Sequence, residues 1–222
     1  MVCFWIALYG IVYTLADRAL RLVCPWFLPL AMLCYLGALL CYIYRTGQRR
    51  LLGICIPRDI CRKKLLPLLI LPLYNLFADR GSFCSFTEML LMVSTCAVEE
   101  LFFRGFLLRT FRRFGCVIAV VLSSAAFALV HIANLAAGAP LDFVLTQVLC
   151  SFAVGICYGA IAIESGSLLL GYAAHLLTNV TASTASMAFS PLLWLCIAAY
   201  GGYGIGLIHI QHIKEKKHEV LY

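Results

Sequence analysis

Charge is the scarcest property of this chain. Only 12% of its 222 residues are Asp, Glu, Lys or Arg, 64% are hydrophobic, and the mean hydropathy is +0.97. That scarcity excludes a soluble domain, which has nowhere to hide so much apolar surface, and makes the lipid bilayer the solvent. The strict apolar–polar alternation of a membrane barrel is missing as well, so the backbone must satisfy itself inside helices. The expected fold class is all-α, a polytopic transmembrane helix bundle. Among twelve cysteines there is no C-x-x-C pair and most lie in apolar runs, which excludes a zinc-ribbon pattern and makes them free thiols acting as small hydrophobes. Repeats, low-complexity tracts and long linkers are absent too. No basic stretch precedes Met1-Val2-Cys3-Phe4, so the first apolar segment reads as retained rather than cleaved.

Hydropathy divides the chain into about eight spans, near 1–16, 22–44, 65–78, 87–108, 116–137, 142–163, 167–187 and 190–212. The third is short and carries Pro67 and Pro72, which kink a helix or shift its start. The net charge of +7 is distributed by topology. Seven Lys/Arg lie between Arg45 and Lys64, three at Arg109, Arg112 and Arg113, and three at Lys214, Lys216 and Lys217. An even span count starting in the cytoplasm puts all thirteen inside, with Arg18, Arg21 and Arg80 outside, so both termini are expected to be cytoplasmic. The same placement accounts for the basic residues without nucleic acid, which is not expected as a partner.

Against this background the ionisable residues within spans stand out, because each costs roughly 2.5–3.5 kcal/mol at the bilayer centre unless it is paired, hydrated or chemically employed. They fall on three spans. The fourth carries Glu99, Glu100 and Arg104, the fifth carries Phe127-Ala128-Leu129-Val130-His131 and then Asn134, and the seventh carries His175 and Asn179. Residues four apart on a helix share a face, so Glu100 and Arg104 are expected to pair, leaving Glu99 on another face toward a cavity. His175 and Asn179 likewise share a face and can present two donors to one point. Asn134, three residues after His131, either fixes that imidazole or makes a packing hydrogen bond.

A carboxylate, two imidazoles and an amide in one wet pocket suit hydrolysis: the carboxylate takes a proton from water, a histidine orients it, and paired donors stabilise an oxyanion. A lone intramembrane histidine or asparagine is more often an interhelical hydrogen bond; only the joint occurrence on three spans overturns that bland account. Asn75 and Gln147 read as packing residues, and Glu164 as a charge at a loop end.

Glu-Glu-x-x-x-Arg, then Phe-x-x-x-His, then His-x-x-x-Asn, in that order on separate spans, resembles the CPBP family of CAAX-prenyl-protease-like and bacteriocin-processing intramembrane proteases, also called Abi proteins. The resemblance covers about 87–187 as the catalytic core, with 1–86 as N-terminal spans carrying a basic cytoplasmic loop and 188–222 as the last span and tail. It implies an intramembrane endopeptidase in which Glu99 is the general base, His131 helps to activate the water, and His175 and Asn179 form the oxyanion hole. Glu100 and Arg104 then hold the site together. A metal-free mechanism is preferred, since no H-E-x-x-H occurs, with zinc at Glu99, His131 and His175 as the alternative. The expected partners are the lipid bilayer and a membrane-associated peptide or protein substrate, in a bacterial style of membrane protein. Two other classes compete: a non-proteolytic scaffold or bacteriocin-immunity protein of the same fold, and a proton-coupled transporter, which the lack of an inverted repeat disfavours.

Overall fold

The computed structural model describes residues 26–57, 65–77, 85–136, 138–182 and 191–220, the last four without side-chain detail. Every element among them is helical and none is a strand. The main helices are α1 (Phe27–Arg45), α2 (Ile70–Phe77), α3 (Phe86–Glu100), α4 (Cys116–Leu129), α5 (Leu141–Ser165), α6 (Leu169–Ala182) and α7 (Pro191–Val220). A 3-10 turn, Leu66–Leu69, leads into α2 with Pro67 near its start, where a missing N–H is harmless. Without a break, α3 runs on through a π-helical stretch, Leu101–Leu107, into a last α turn, Leu108–Phe111. Beyond α4, the 3-10 turn Val130–Ile132 and the short turn Ala133–Ala136 complete that rod.

The all-helical expectation holds, and the apolar helices are those of an integral membrane protein. The expected count of about eight spans is not reached among the described residues, where four helices are long and apolar enough to cross: Phe27–Arg45, Cys116–Ala136, Leu141–Ser165 and Pro191–Lys216. The 1–16 span lies outside the described residues. The described part of the 65–78 segment is a short apolar helix, Leu66–Phe77, with Pro67 in its opening turn and Pro72 inside α2. The 87–108 segment is a continuous rod, but Glu88, Glu99, Glu100 and Arg104 make it too charged to count as apolar. The 167–187 segment contributes the 14 residues of α6.

Local chemistry fixes the ends that matter for the site. Ser85 and Glu88 form a capping box at the start of α3: the Ser85 hydroxyl accepts from the Glu88 N–H at 3.2 Å and the Glu88 carboxylate accepts from the Ser85 N–H at 2.8 Å. Gly115, at φ +97°, lets the chain turn from the end of the α3 rod directly into α4.

Two packing regimes follow. On one side α4, α5 and α7 pack along their lengths, brought close by small residues. Gly155 lies on Ser124, Gly159 on Val120, and Gly204 on the Cys157 backbone, where an added Cβ would stand 2.8 Å from the Cys157 nitrogen. Tyr158 and Tyr200 are fully buried there, and the Tyr200 hydroxyl donates to the Leu68 carbonyl at 2.5 Å. On the other side α3 packs against α1 and α6, and α6 against α2. The turn between α5 and α6 is stitched to the loop after α1: the Leu168 N–H donates to the Gly53 carbonyl at 2.9 Å, and the Ser167 hydroxyl to the Cys55 carbonyl at 2.5 Å. Arg109 from the end of the α3 rod reaches the Gly166 carbonyl at 3.3 Å. These bonds set the start of α6, which carries His175 and Asn179.

Candidate active site

Glu99 and Glu100 close α3, and Arg104 sits within the π-helical stretch that follows. A π turn is wider than an α turn and is found chiefly where function needs a local change of helix phase. The expected Glu100–Arg104 pair is present, with Arg104 Nη1 donating to Glu100 Oε1 at 2.9 Å and both side chains almost fully buried. The Arg104 guanidinium also lies 4.1 Å from the centre of the Phe127 ring, whose π face favours a cation. Glu100 Oε1 takes a second donor, His175 Nδ1, at 2.9 Å. Gly171 makes this approach possible, since a Cβ there would stand 3.3 Å from Glu100 Oε2.

A carboxylate only accepts, so His175 carries its proton on Nδ1 and turns Nε2 toward Glu99. The Nε2–Glu99 Oε2 separation is 3.6 Å, longer than a direct hydrogen bond. His131 is fixed in the same sense: its Nδ1 donates to the Phe127 carbonyl at 2.9 Å, which leaves Nε2 as an acceptor. Phe127 thereby becomes the hub of the site. Its ring meets both imidazoles edge to face, at centroid distances of 5.2 Å for His131 and 5.6 Å for His175, and lies beneath Arg104.

A cavity of about 170 Å³ joins these groups, with Glu99, His131, His175 and Asn179 on its wall. That is ample room for several waters among polar partners. Glu100 and Arg104 do not line it; they support His175 from behind. Asn179 reaches the cavity, but its amide donates to Cys96 Sγ at 3.3 Å instead of converging with His175 on one point. Asn134 departs from its first expected role: its amide donates to Gln147 Oε1 at 2.7 Å and ties the end of α4 to α5, while the Phe127 carbonyl fixes the His131 ring. Asn134 thus makes the packing bond, the other reading of its spacing.

Tyr158, which packs beside His175 and bonds Thr178, was not singled out by sequence. Asn75 and Gln147, read there as packing residues, make packing bonds: Asn75 donates to the Thr178 carbonyl and the Thr181 hydroxyl, and Gln147 accepts from Asn134; both also line the cavity. The described cysteines are free thiols.

The carboxylate of Glu99 and the bare Nε2 atoms of His131 and His175 are a donor set that zinc accepts. Their ligand atoms are more widely spread than those of Cys116, His212 and Glu215, the group among the described residues whose ligand atoms all lie within 4.8 Å of one another. In that second group Glu215 already pairs with Arg112, which ties α7 to the turn between the α3 rod and α4.

No curated protein and no solved structure matches the chain. Residues 83–181, the stretch that carries every site residue from Glu99 to Asn179, match the family described as Type II CAAX prenyl endopeptidase Rce1-like.

Proposed function

We propose that this protein is an intramembrane endopeptidase that cleaves a membrane-associated peptide or protein with water activated by Glu99. One observation carries the reading: Glu99 Oε2 faces His175 Nε2 across 3.6 Å, on the wall of a cavity that also receives His131. The cavity beside that carboxylate has room for a water within its reach. Glu99 removes a proton from the water, and His131 Nε2 accepts the other water hydrogen and aims the oxygen. The oxygen bonds to the scissile carbonyl carbon, whose displaced electron pair forms an oxyanion. The Asn179 amide assists that charge once substrate draws it away from Cys96. The amide C–N bond then breaks and the amine leaves with the proton held by Glu99.

Glu100 and Arg104 act one layer out. The Glu100 carboxylate holds the His175 proton on Nδ1, and Arg104 keeps that carboxylate ionised in a dry setting. No metal is needed in this scheme. Were zinc bound, Glu99, His131 and His175 would hold it, and it would polarise the water; the three side chains would have to draw together to do so. The orientation with both termini in the cytoplasm of a bacterial cell, and a peptide precursor or membrane-protein tail as substrate, complete the proposal.

Glu99→Gln tests it in purified protein reconstituted into vesicles, and in cells by comparing membrane peptides with those of the unaltered chain. Loss of cleavage with an unchanged melting temperature is the expected result. Unaltered biological activity in that variant would identify a scaffold or immunity role instead. Cleavage that persists in strong chelator supports the metal-free route, and loss restored by zinc would replace it.

A further inference from the structure

The reaction needs hydrogen-bond donors aimed at the substrate's carbonyl oxygen; the cavity wall carries the unpartnered Thr95 hydroxyl, and most of its side-chain N–H donors are already engaged. His175 Nδ1 donates to Glu100, His131 Nδ1 to the Phe127 carbonyl, Asn179 Nδ2 to Cys96, and Asn75 Nδ2 to the Thr178 carbonyl and the Thr181 hydroxyl. Gln147 is the exception. It lies on α5 and lines the cavity, and its Oε1 accepts the Asn134 amide at 2.7 Å. Among the described residues its Nε2 donates to nothing. An amide anchored through its oxygen has its plane and its nitrogen held in place, and the N–H on the far side from the oxygen points away from the anchor and is held ready for substrate.

We infer that Gln147 binds the scissile carbonyl oxygen through Nε2–H and stabilises the oxyanion formed there, with Asn134 as the residue that orients it. The inference rests on the endopeptidase reading and gives it a donor that is preorganised before substrate arrives. When the water oxygen bonds to the carbonyl carbon, the π electron pair moves to the oxygen, and the Gln147 N–H shortens onto a full charge. That interaction is stronger in the transition state than in the bound substrate, so it acts on turnover more than on binding. The bond from Asn134 has the same logic: it connects the histidine-bearing end of α4 to the amide on α5, so the water-orienting imidazole and the oxyanion donor keep a fixed separation.

The test uses the full chain in vesicles, with a farnesylated, fluorophore-quenched peptide ending in a CAAX sequence and a pooled library of membrane-anchored peptides read by mass spectrometry. Gln147→Leu and Gln147→Asn are compared with the unaltered protein and with Glu99→Gln, each after a melting measurement in detergent. The expected result is a kcat lower by about 100-fold for Gln147→Leu, the usual effect of removing one oxyanion donor, with KM within about twofold. Gln147→Asn, which shortens the arm but keeps the amide, covers the case in which the leucine variant does not fold, and the same kcat-selective loss is expected. Asn134→Ala should lower kcat by less, again with little change in KM. If the unaltered protein cleaves and both Gln147 variants match its kcat, the inference falls while the endopeptidase reading stands. If the unaltered protein cleaves neither the peptide nor the library, both fall.

Discussion

The two sides of this bundle are held together by opposite means. Where α4, α5 and α7 meet, the interface is glycine, alanine, serine and cysteine against aromatic and branched side chains, and cohesion comes from close approach. Where α3 meets α6, a buried carboxylate, a guanidinium and an imidazole form a chain of charge-assisted bonds. Shape makes the first side tolerant of chemistry and intolerant of volume; charge makes the second side the reverse. A membrane protein can thus keep a reactive polar cluster in a rigid place by backing it with a closely packed apolar seam.

The largest break in that comparison should come from Glu99→Gln. It keeps volume and removes the base, so turnover should fall by about 10²–10⁴ while the melting temperature stays put, measured as cleavage rate against thermal unfolding in detergent. Next comes Arg104→Ala, which strands Glu100 in a dry site; a stability loss of about 3–5 kcal/mol is expected, seen as a lower melting temperature and yield along with lower activity. Unchanged stability would mean that the ion pair does not hold the polar side. Gly204→Ala probes the other side by volume alone, driving a methyl against the Cys157 backbone. Overpacking should cost about 1–3 kcal/mol while activity per folded molecule survives, checked by assaying the surviving fraction after a heat step. The smallest effect is Ser85→Ala at the head of α3, about 1 kcal/mol from the lost cap with the active-site geometry intact, read from the melting curve.

Much of the site was legible because it depends on intrahelical spacing. Glu100 with Arg104, and the placement of His175 and Asn179 on one face, follow from four-residue steps, and the coordinates reproduce both relations. What depends on how one helix is rotated against another was not legible. Asn134 finds Gln147 rather than His131, Asn179 turns to Cys96, and His175 leans on Glu100, because the partners sit on neighbouring helices whose phase no single-helix period encodes. Phe127 stood in the quoted motif without a job. Its position beneath Arg104 and between two imidazoles becomes visible only once three helices are assembled. Hydropathy registers apolar stretches, and among the described residues four of them are helices long and apolar enough to cross, while Glu88, Glu99, Glu100 and Arg104 set the α3 rod apart from these.

The wide turn at Leu101–Leu107 has a mechanical consequence. A stretch wound more loosely than its flanks holds a surplus residue, and each residue of an α-helix advances the azimuth by about 100°. Deleting one residue there would let the rod rewind to ordinary pitch with both flanks still in phase, whereas rewinding it with the residue kept would swing everything upstream, Glu99 and the α1-facing Leu91 and Val98 together, about 100° out of alignment with what lies downstream. The wide turn is therefore the gear tooth that lets one rod mesh with α1 at its head and with Phe127 and Gly166 at its foot.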